Sequence, residues 1–209
     1  MKSEKNFFSA RNVTYLAVLL ALVVVLQVFS GYFKIGTTSL SFVLVPIVLG
    51  GMVLGVWAGA ILGFAFGLVV IFDALGGLDP FTLYLLTASP ASGALTVILC
   101  IVKGTAAGAI SALLFKVIPN KYAATFVAAA ATPILNTGIF AIGALCMGGT
   151  LNGVFNSFGI DTTGLSVFYI VFVLCIGINF FVELAINIVC APAIYTVNNV
   201  VGKRIRARG

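Results

Sequence analysis

Six polar side chains stand inside long apolar runs of this 209-residue sequence: Lys103, Asn136, Thr137, Asn179, Glu183 and Asn187. A lysine or glutamate facing hydrocarbon costs roughly 3 kcal/mol or more, so such groups face protein or a water-filled cavity. Asn179, Glu183 and Asn187 recur every fourth residue, which puts all three on one face of a helix. The chemistry on offer is recognition, not bond cleavage. The chain has no histidine, which removes Ser-His-Asp and Cys-His nucleophiles and the HExxH zinc motif. No glycine-rich phosphate loop is present, so ATP hydrolysis by that route is excluded. Cys100, Cys146, Cys175 and Cys190 are widely spaced without a CxxC pair. They are expected to be reduced structural thiols, with no metal and no cofactor. No catalytic residue is expected, and the chain is read as a non-enzyme.

The elements that hold these groups follow from composition. Hydrophobic residues make up 62% of the chain and charged ones 8%, against roughly 25% charged in a soluble domain. An all-α, polytopic membrane protein is expected, with residues 1–209 forming one domain. The net charge of +6 does not imply nucleic acid. Lys2, Lys5 and Arg11, then Lys116 and Lys121, then Lys203, Arg204, Arg206 and Arg208 flank apolar segments. There they mark a cytoplasmic side and contact anionic lipid in the bilayer.

In chain order, a polar tail (1–11) leads to helix one, about 12–30, capped by Ser9 or Asn12. Tyr32–Leu40 reads as a polar loop. Helix two ends near Leu54, and helix three runs from about Ala58 to Phe72. Gly51, Gly55, Gly59, Gly63 and Gly67 recur every fourth residue and share a face. They predict a turn near Gly55–Ala58 and close approach of helices two and three. Asp73–Ser92 breaks helical continuity yet stays rich in apolar residues; a lid, a re-entrant segment and an interfacial helix are all open. Helix four covers about 93–117, with Gly104 and Gly108 as a second small-residue pair. Helix five covers about 122–147 and is expected to break locally at Pro133. Gly148–Gly164 reads as another polar loop. Helix six covers about 165–199, and 201–209 is a basic tail.

Six transmembrane crossings put both termini on one side. Nine of the eleven basic residues then lie at the termini or the four–five loop, making that side cytoplasmic. Counting from the cytoplasmic ends, Lys103 and Asn136 lie about 20 Å up and Glu183 roughly 25 Å up. The six polar residues therefore form one layer in the outer half of the membrane. One reading makes Lys103–Glu183 a structural pair joining helices. The other makes the layer a polar cavity for a small solute, open outward beneath the Asp73–Ser92 and Gly148–Gly164 loops.

The chain resembles the substrate-binding S component of energy-coupling factor (ECF) vitamin transporters. The resemblance covers about residues 12–200. It rests on six short helices, the Ala17–Ala21 pair (AxxxA) of helix one, the Pro46-to-Gly67 hairpin, Lys103-Gly104, and PILNTGIFAIG at 133–143. It implies a high-affinity vitamin-binding subunit of a prokaryotic cytoplasmic (plasma) membrane. Such a subunit docks through Ala17 and Ala21 on a transmembrane coupling subunit driven by two ATPase subunits. NTGIFAIG and the helix-four lysine are most similar to the pantothenate-type branch, where Lys103 would meet a carboxylate. Riboflavin, a pyridoxine-type vitamin, and thiazole or pyrimidine precursors are also open. Trp57 falls at the cytoplasmic turn, so ring stacking would fall to phenylalanines, Tyr84 or Tyr169. The alternatives are a stand-alone secondary transporter or channel, and a structural membrane subunit.

Overall fold

The computed structural model describes residues 9–35, 38–39 and 41–207. The polar tail through Phe8, parts of the Tyr32–Leu40 loop and the last two residues of the basic tail lie outside the described residues. Among the described residues the regular structure is helical apart from an antiparallel ribbon of two residues per strand, β1 (Lys34–Ile35) and β2 (Thr38–Ser39). The helices are α1 (Ala10–Ser30), α2 (Leu44–Leu54), α3 (Val56–Leu75), α4 (Pro80–Thr87), α5 (Pro90–Val117), α6 (Lys121–Leu145), α7 (Gly148–Ser157) and α8 (Val167–Tyr169). A π-helical stretch (Ile170–Ile176) then leads into α9 (Gly177–Ala207).

Local chemistry sets the helix starts. Ser9, Asp79, Ser89 and Asn120 each accept a hydrogen bond from a first-turn amide of α1, α4, α5 and α6. Pro80 and Pro90 sit in first turns, where a missing N–H costs nothing. Gly55, at φ +99°, makes the turn between α2 and α3.

Among the described residues, five helical segments are long and apolar enough to cross a membrane: α1, α3, α5, α6 and the stretch Val167–Val201. The surface fits that reading. Trp57, Phe72, Ile142, Phe181 and Val189 are all more than 60% exposed, while Gln27, Asp73, Asn136, Glu183 and Asn187 are buried. Apolar groups outside and polar groups inside suit a lipid surround, where polar side chains face protein. Of the six crossings expected, the second is not shown at membrane-spanning length, because α2 has only 11 residues. At helical rise that is about 16 Å, half the hydrocarbon thickness.

The glycine ladder packs differently from expectation. Its main partner is α5, not α2. A Cβ on Gly59 would lie 2.3 Å from the Gly108 carbonyl oxygen, one on Gly63 2.0 Å from that of Gly104, and one on Gly67 2.3 Å from that of Cys100. The two small-residue motifs of the sequence are thus two sides of one seam, with backbones in direct contact. Gly51 of α2 joins its end, against Ala112 and Gly108.

Three further expectations are corrected. Helix α6 runs unbroken through Pro133, since a membrane helix tolerates proline through small local adjustments. The Gly148–Gly164 stretch is not all loop: α7 buries Leu151, Val154 and Phe155, spaced for one helical face. The last span is not one regular helix. Its π-helical stretch ends at Gly177, φ +40° and ψ −137°, where the amide reaches back five residues to the Phe172 carbonyl.

One end of the molecule carries the α2–α3 turn, the start of α6 and the end of α9, with Tyr122 and Tyr195 edge-on at 5.3 Å. At the opposite end Gly31 approaches Leu78. There α4 and α7 pack together through Phe81 and Phe155, with ring centroids 6.0 Å apart.

Candidate functional site

A cavity of about 110 Å³ lies among the helices. That is well above the roughly 10–15 Å³ that holds one water. Five of the expected residues line it: Lys103 from α5, Asn136 and Thr137 from α6, and Asn179 and Glu183 from α9. Each arrives from a rigid helix, and the α3–α5 seam fixes Lys103, since Gly104 beside it is locked against Gly63.

The Lys103 ammonium lies 5.5 Å from the centroid of the Phe140 ring and 5.8 Å from that of Phe66. Each face attracts a cation by about 0.5–2 kcal/mol, depending on desolvation. Glu183 is buried, and its Oε1 accepts a 2.9 Å hydrogen bond from the Ser41 amide ahead of α2. The Lys103–Glu183 pair, one of the two readings of the polar layer, is not seen as a direct ion pair among the described residues. Both line the cavity, the ammonium toward two aromatic rings and the carboxylate toward a backbone N–H. The lining therefore includes one ammonium, Lys103, and the carboxyl groups of Glu183 and Asp79.

Asn187 and Tyr84 do not line the cavity. Asn187 is fully buried one turn beyond Glu183 and donates 2.9 Å to the Glu183 backbone carbonyl. Tyr84 faces Gly153 of α7, so its hydroxyl belongs to the α4–α7 contact. Tyr169 and Trp57 are exposed, at 46% and 75%, and neither lines the cavity. Ala17 and Ala21 are also exposed, both on the outward face of α1.

Several lining residues were missed: Gln27 from α1, Ser41, Asp79 and Thr82 at the start of α4, and Phe66 and Phe140. Gln27 carried a signal, being the chain's only glutamine and set in an apolar run. Ser41 and Asp79 carried none, because connecting segments bring them in. Asp79 spends its carboxylate capping α4, accepting from the Thr82 amide at 3.1 Å and the Thr82 hydroxyl at 2.5 Å. Asp73, expected at the outer end of helix three, is buried behind the cavity. Its Oδ2 accepts a 3.1 Å bond from Gln27 Nε2.

The buried polar groups divide into two sets. Ser30, Ser92, Thr96 and Thr132 hydroxyls donate to nearby carbonyls at 2.6–2.8 Å. The carboxamide oxygens of Gln27, Asn136 and Asn187 have no hydrogen-bond partner. Each such orphan costs about 1–3 kcal/mol, and two of the three belong to the cavity lining. Among the described residues, no cluster of His, Cys, Asp and Glu could hold a metal ion.

Neither a protein-family model nor a curated protein matches this chain.

Proposed function

We propose that this chain is a solute-capturing membrane subunit of an ATP-driven importer, of the ECF S-component kind. The observation that carries the reading is the cavity itself. The half-buried Lys103 ammonium, the buried Glu183 carboxyl group and the carboxamides of Gln27, Asn136 and Asn179 surround a cavity in an otherwise apolar body. Such a cluster is costly to keep unless something polar occupies it. A carboxylate-bearing vitamin of the pantothenate type is the first candidate, with Lys103 as its partner. In this reading Tyr84 and Asn187 support the site from outside the lining.

Orientation is part of the proposal. The α2–α3 turn, the α5–α6 turn flanked by Lys116 and Lys121, and the end of α9 share one side, which we assign to the cytoplasm. The segment between Gly31 and Gly55 joins opposite ends of the molecule, so the short α2 serves as a sixth, incomplete crossing. The cavity then opens outward beneath α4, with both termini inside. Ala17 and Ala21, exposed on α1, suit docking on a transmembrane coupling subunit, since small residues admit close backbone approach. Hydrolysis of ATP would rest with two separate ATPase subunits.

The test is mass spectrometry of a solvent extract from the purified protein. One water-soluble vitamin or precursor at near-stoichiometric amount is expected; an empty extract, with no vitamin binding on re-addition, rejects the reading. Ala17→Trp should retain that molecule while losing association with a coupling subunit. Ion-gradient-driven uptake by this chain alone would instead make it a stand-alone secondary transporter.

A further inference from the structure

Opposite charges that share a confined, low-dielectric space attract strongly. Lys103, Glu183 and Asp79 line one cavity, yet among the described residues the ammonium pairs directly with neither carboxyl group. Each carboxyl group has a tether of its own: Glu183 accepts from the Ser41 amide at 2.9 Å, and Asp79 from the Thr82 amide at 3.1 Å. The lysine is held differently. Its ammonium lies over two rings, Phe66 of α3 at 5.8 Å and Phe140 of α6 at 5.5 Å from the centroids. Helix α5 packs against both α3 and α6, so one ring comes from each neighbour. Phe66 is 1% exposed, and its Cδ1 would lie 2.9 Å from a Cβ on Gly104. The ring thus occupies the space left by the missing side chain next to Lys103. Phe140 stands one turn beyond Asn136, on the face of α6 that lines the cavity.

We propose that Phe66 and Phe140 are positioning residues, whose rings hold the Lys103 ammonium apart from Glu183 and so keep an unneutralised cation in the cavity. This rests on the reading of the cavity as a solute site, and it deepens that reading. The negative face of a ring attracts an ammonium without cancelling its charge. A carboxylate cancels it, and a Lys103–Glu183 ion pair would also fill volume that a solute needs. A lysine stem is long and flexible, so without the rings the ammonium swings to Glu183 and the pair forms. The rings, from two different helices, make that collapse unfavourable before any solute arrives. An incoming anion then meets a cation already in place and has no ion pair to break.

The first measurement needs no solute. Glu4 and Glu183 are the only glutamates in the chain, so Glu4→Gln leaves Glu183 as the single glutamate. The purified full chain with that change, labelled with 15N at lysine Nζ and 13C at glutamate Cδ, is placed in lipid bilayers for solid-state NMR. No close Lys103–Glu183 contact is expected. Phe140→Leu removes one ring; pentafluorophenylalanine at position 140 keeps the ring's shape but reverses the sign of its face, and it decides the matter if the leucine variant does not fold. Each should gain a close lysine–glutamate contact that Lys103→Met abolishes. The second measurement titrates pantothenate against pantothenol, in which an uncharged hydroxymethyl group replaces the carboxylate. Each variant should lower the preference for pantothenate by about two- to thirtyfold, the worth of one ring–ammonium contact. Adding Glu183→Gln should recover most of that loss, since a carboxamide oxygen still accepts from the Ser41 amide but does not neutralise the ammonium. General loss of packing would weaken both probes alike and ignore Glu183→Gln. A Lys103–Glu183 contact already present before either ring change, no gain of contact in either variant, or a preference that neither changes overturns the inference and spares the solute site. Where neither probe binds, the contact measurement alone decides; an empty extract from the purified protein as well removes both.

Discussion

Gly63→Leu tests the link between the α3–α5 seam and the position of the cavity lysine. A Cβ at position 63 would lie 2.0 Å from the Gly104 carbonyl oxygen and 2.5 Å from its carbon, and real Cβ atoms essentially never come within 3.0 Å. The obstacle is backbone, so no rotamer relieves it, and the helices must separate by about 1 Å or more. Overpacking of this kind costs about 1–3 kcal/mol, and the longer leucine side chain pushes toward the upper end. For a chain of this size that lowers the melting temperature by about 6–10 °C. Because Lys103 adjoins Gly104, the displacement should also weaken binding of whichever solute the cavity takes. The control is Gly138→Ala on α6, an exposed glycine whose Cβ would meet nothing within 4 Å. It should be neutral, or stabilise by up to about 1 kcal/mol through helix propensity. Thermal unfolding in detergent, followed by circular dichroism, reads both. A Gly63→Leu melting curve matching wild type, or an equal loss in Gly138→Ala, would refute the reasoning.

Three further outcomes are expected. Lys103→Met should weaken an anionic solute by roughly 10- to 100-fold, the worth of a hydrogen bond to a charged group; isothermal titration with unchanged affinity would remove Lys103 from the site. Gly177→Ala should destabilise by about 1–3 kcal/mol through backbone strain alone, because φ +40° disfavours a side chain and a Cβ there meets nothing within 4 Å. A wild-type melting curve for that variant would argue against the turn. Asp161, in the loop after α7, is held below the usual aspartate value by hydrogen bonds from Thr163, including its amide at 2.8 Å. A depressed folded pKa contributes stability that is whole above the unfolded value near 3.8 and is lost as pH falls through the folded value. Amide exchange at Thr163 should therefore gain protection as pH rises through that window, after correction for intrinsic rates, and Asp161→Asn should flatten the profile.

The sequence revealed the membrane class and the position of most helices, because apolar runs bounded by Ser, Asn, Gly and Pro are local signals. It also carried five lining residues, since charge and amide groups at membrane depth stand out against 62% hydrophobic composition. What it hid depends on tertiary contact. The glycine ladder announced a close helix contact without naming the partner, and α5 took that place because Gly104 and Gly108 meet it in register. Helix α7 was concealed by polar composition, although Leu151, Val154 and Phe155 carried the helical period. Gln27 became meaningful only once Asp73, 46 residues away, was seen to orient it. The sequence left the Lys103–Glu183 pair and the polar cavity as two readings, because shared depth does not fix the rotation of side chains around their helices.

The π-helical stretch has a consequence for the phase of the last span. Each π turn takes up more residues than an α turn, so Ile170–Ile176 advances the chain without advancing the angular position in step. Asn179 and Glu183, which line the cavity, lie beyond that offset. A stretch bonded from each residue to the fifth holds more residues than an α-helix of the same winding has places for. One residue lost between Ile170 and Gly177 is therefore absorbed by tightening to α turns, whereas one lost from the regular helix between Gly177 and Asn179 turns everything beyond it by about 100°. The π-helical stretch is the part of this span most tolerant of a change in the number of its residues.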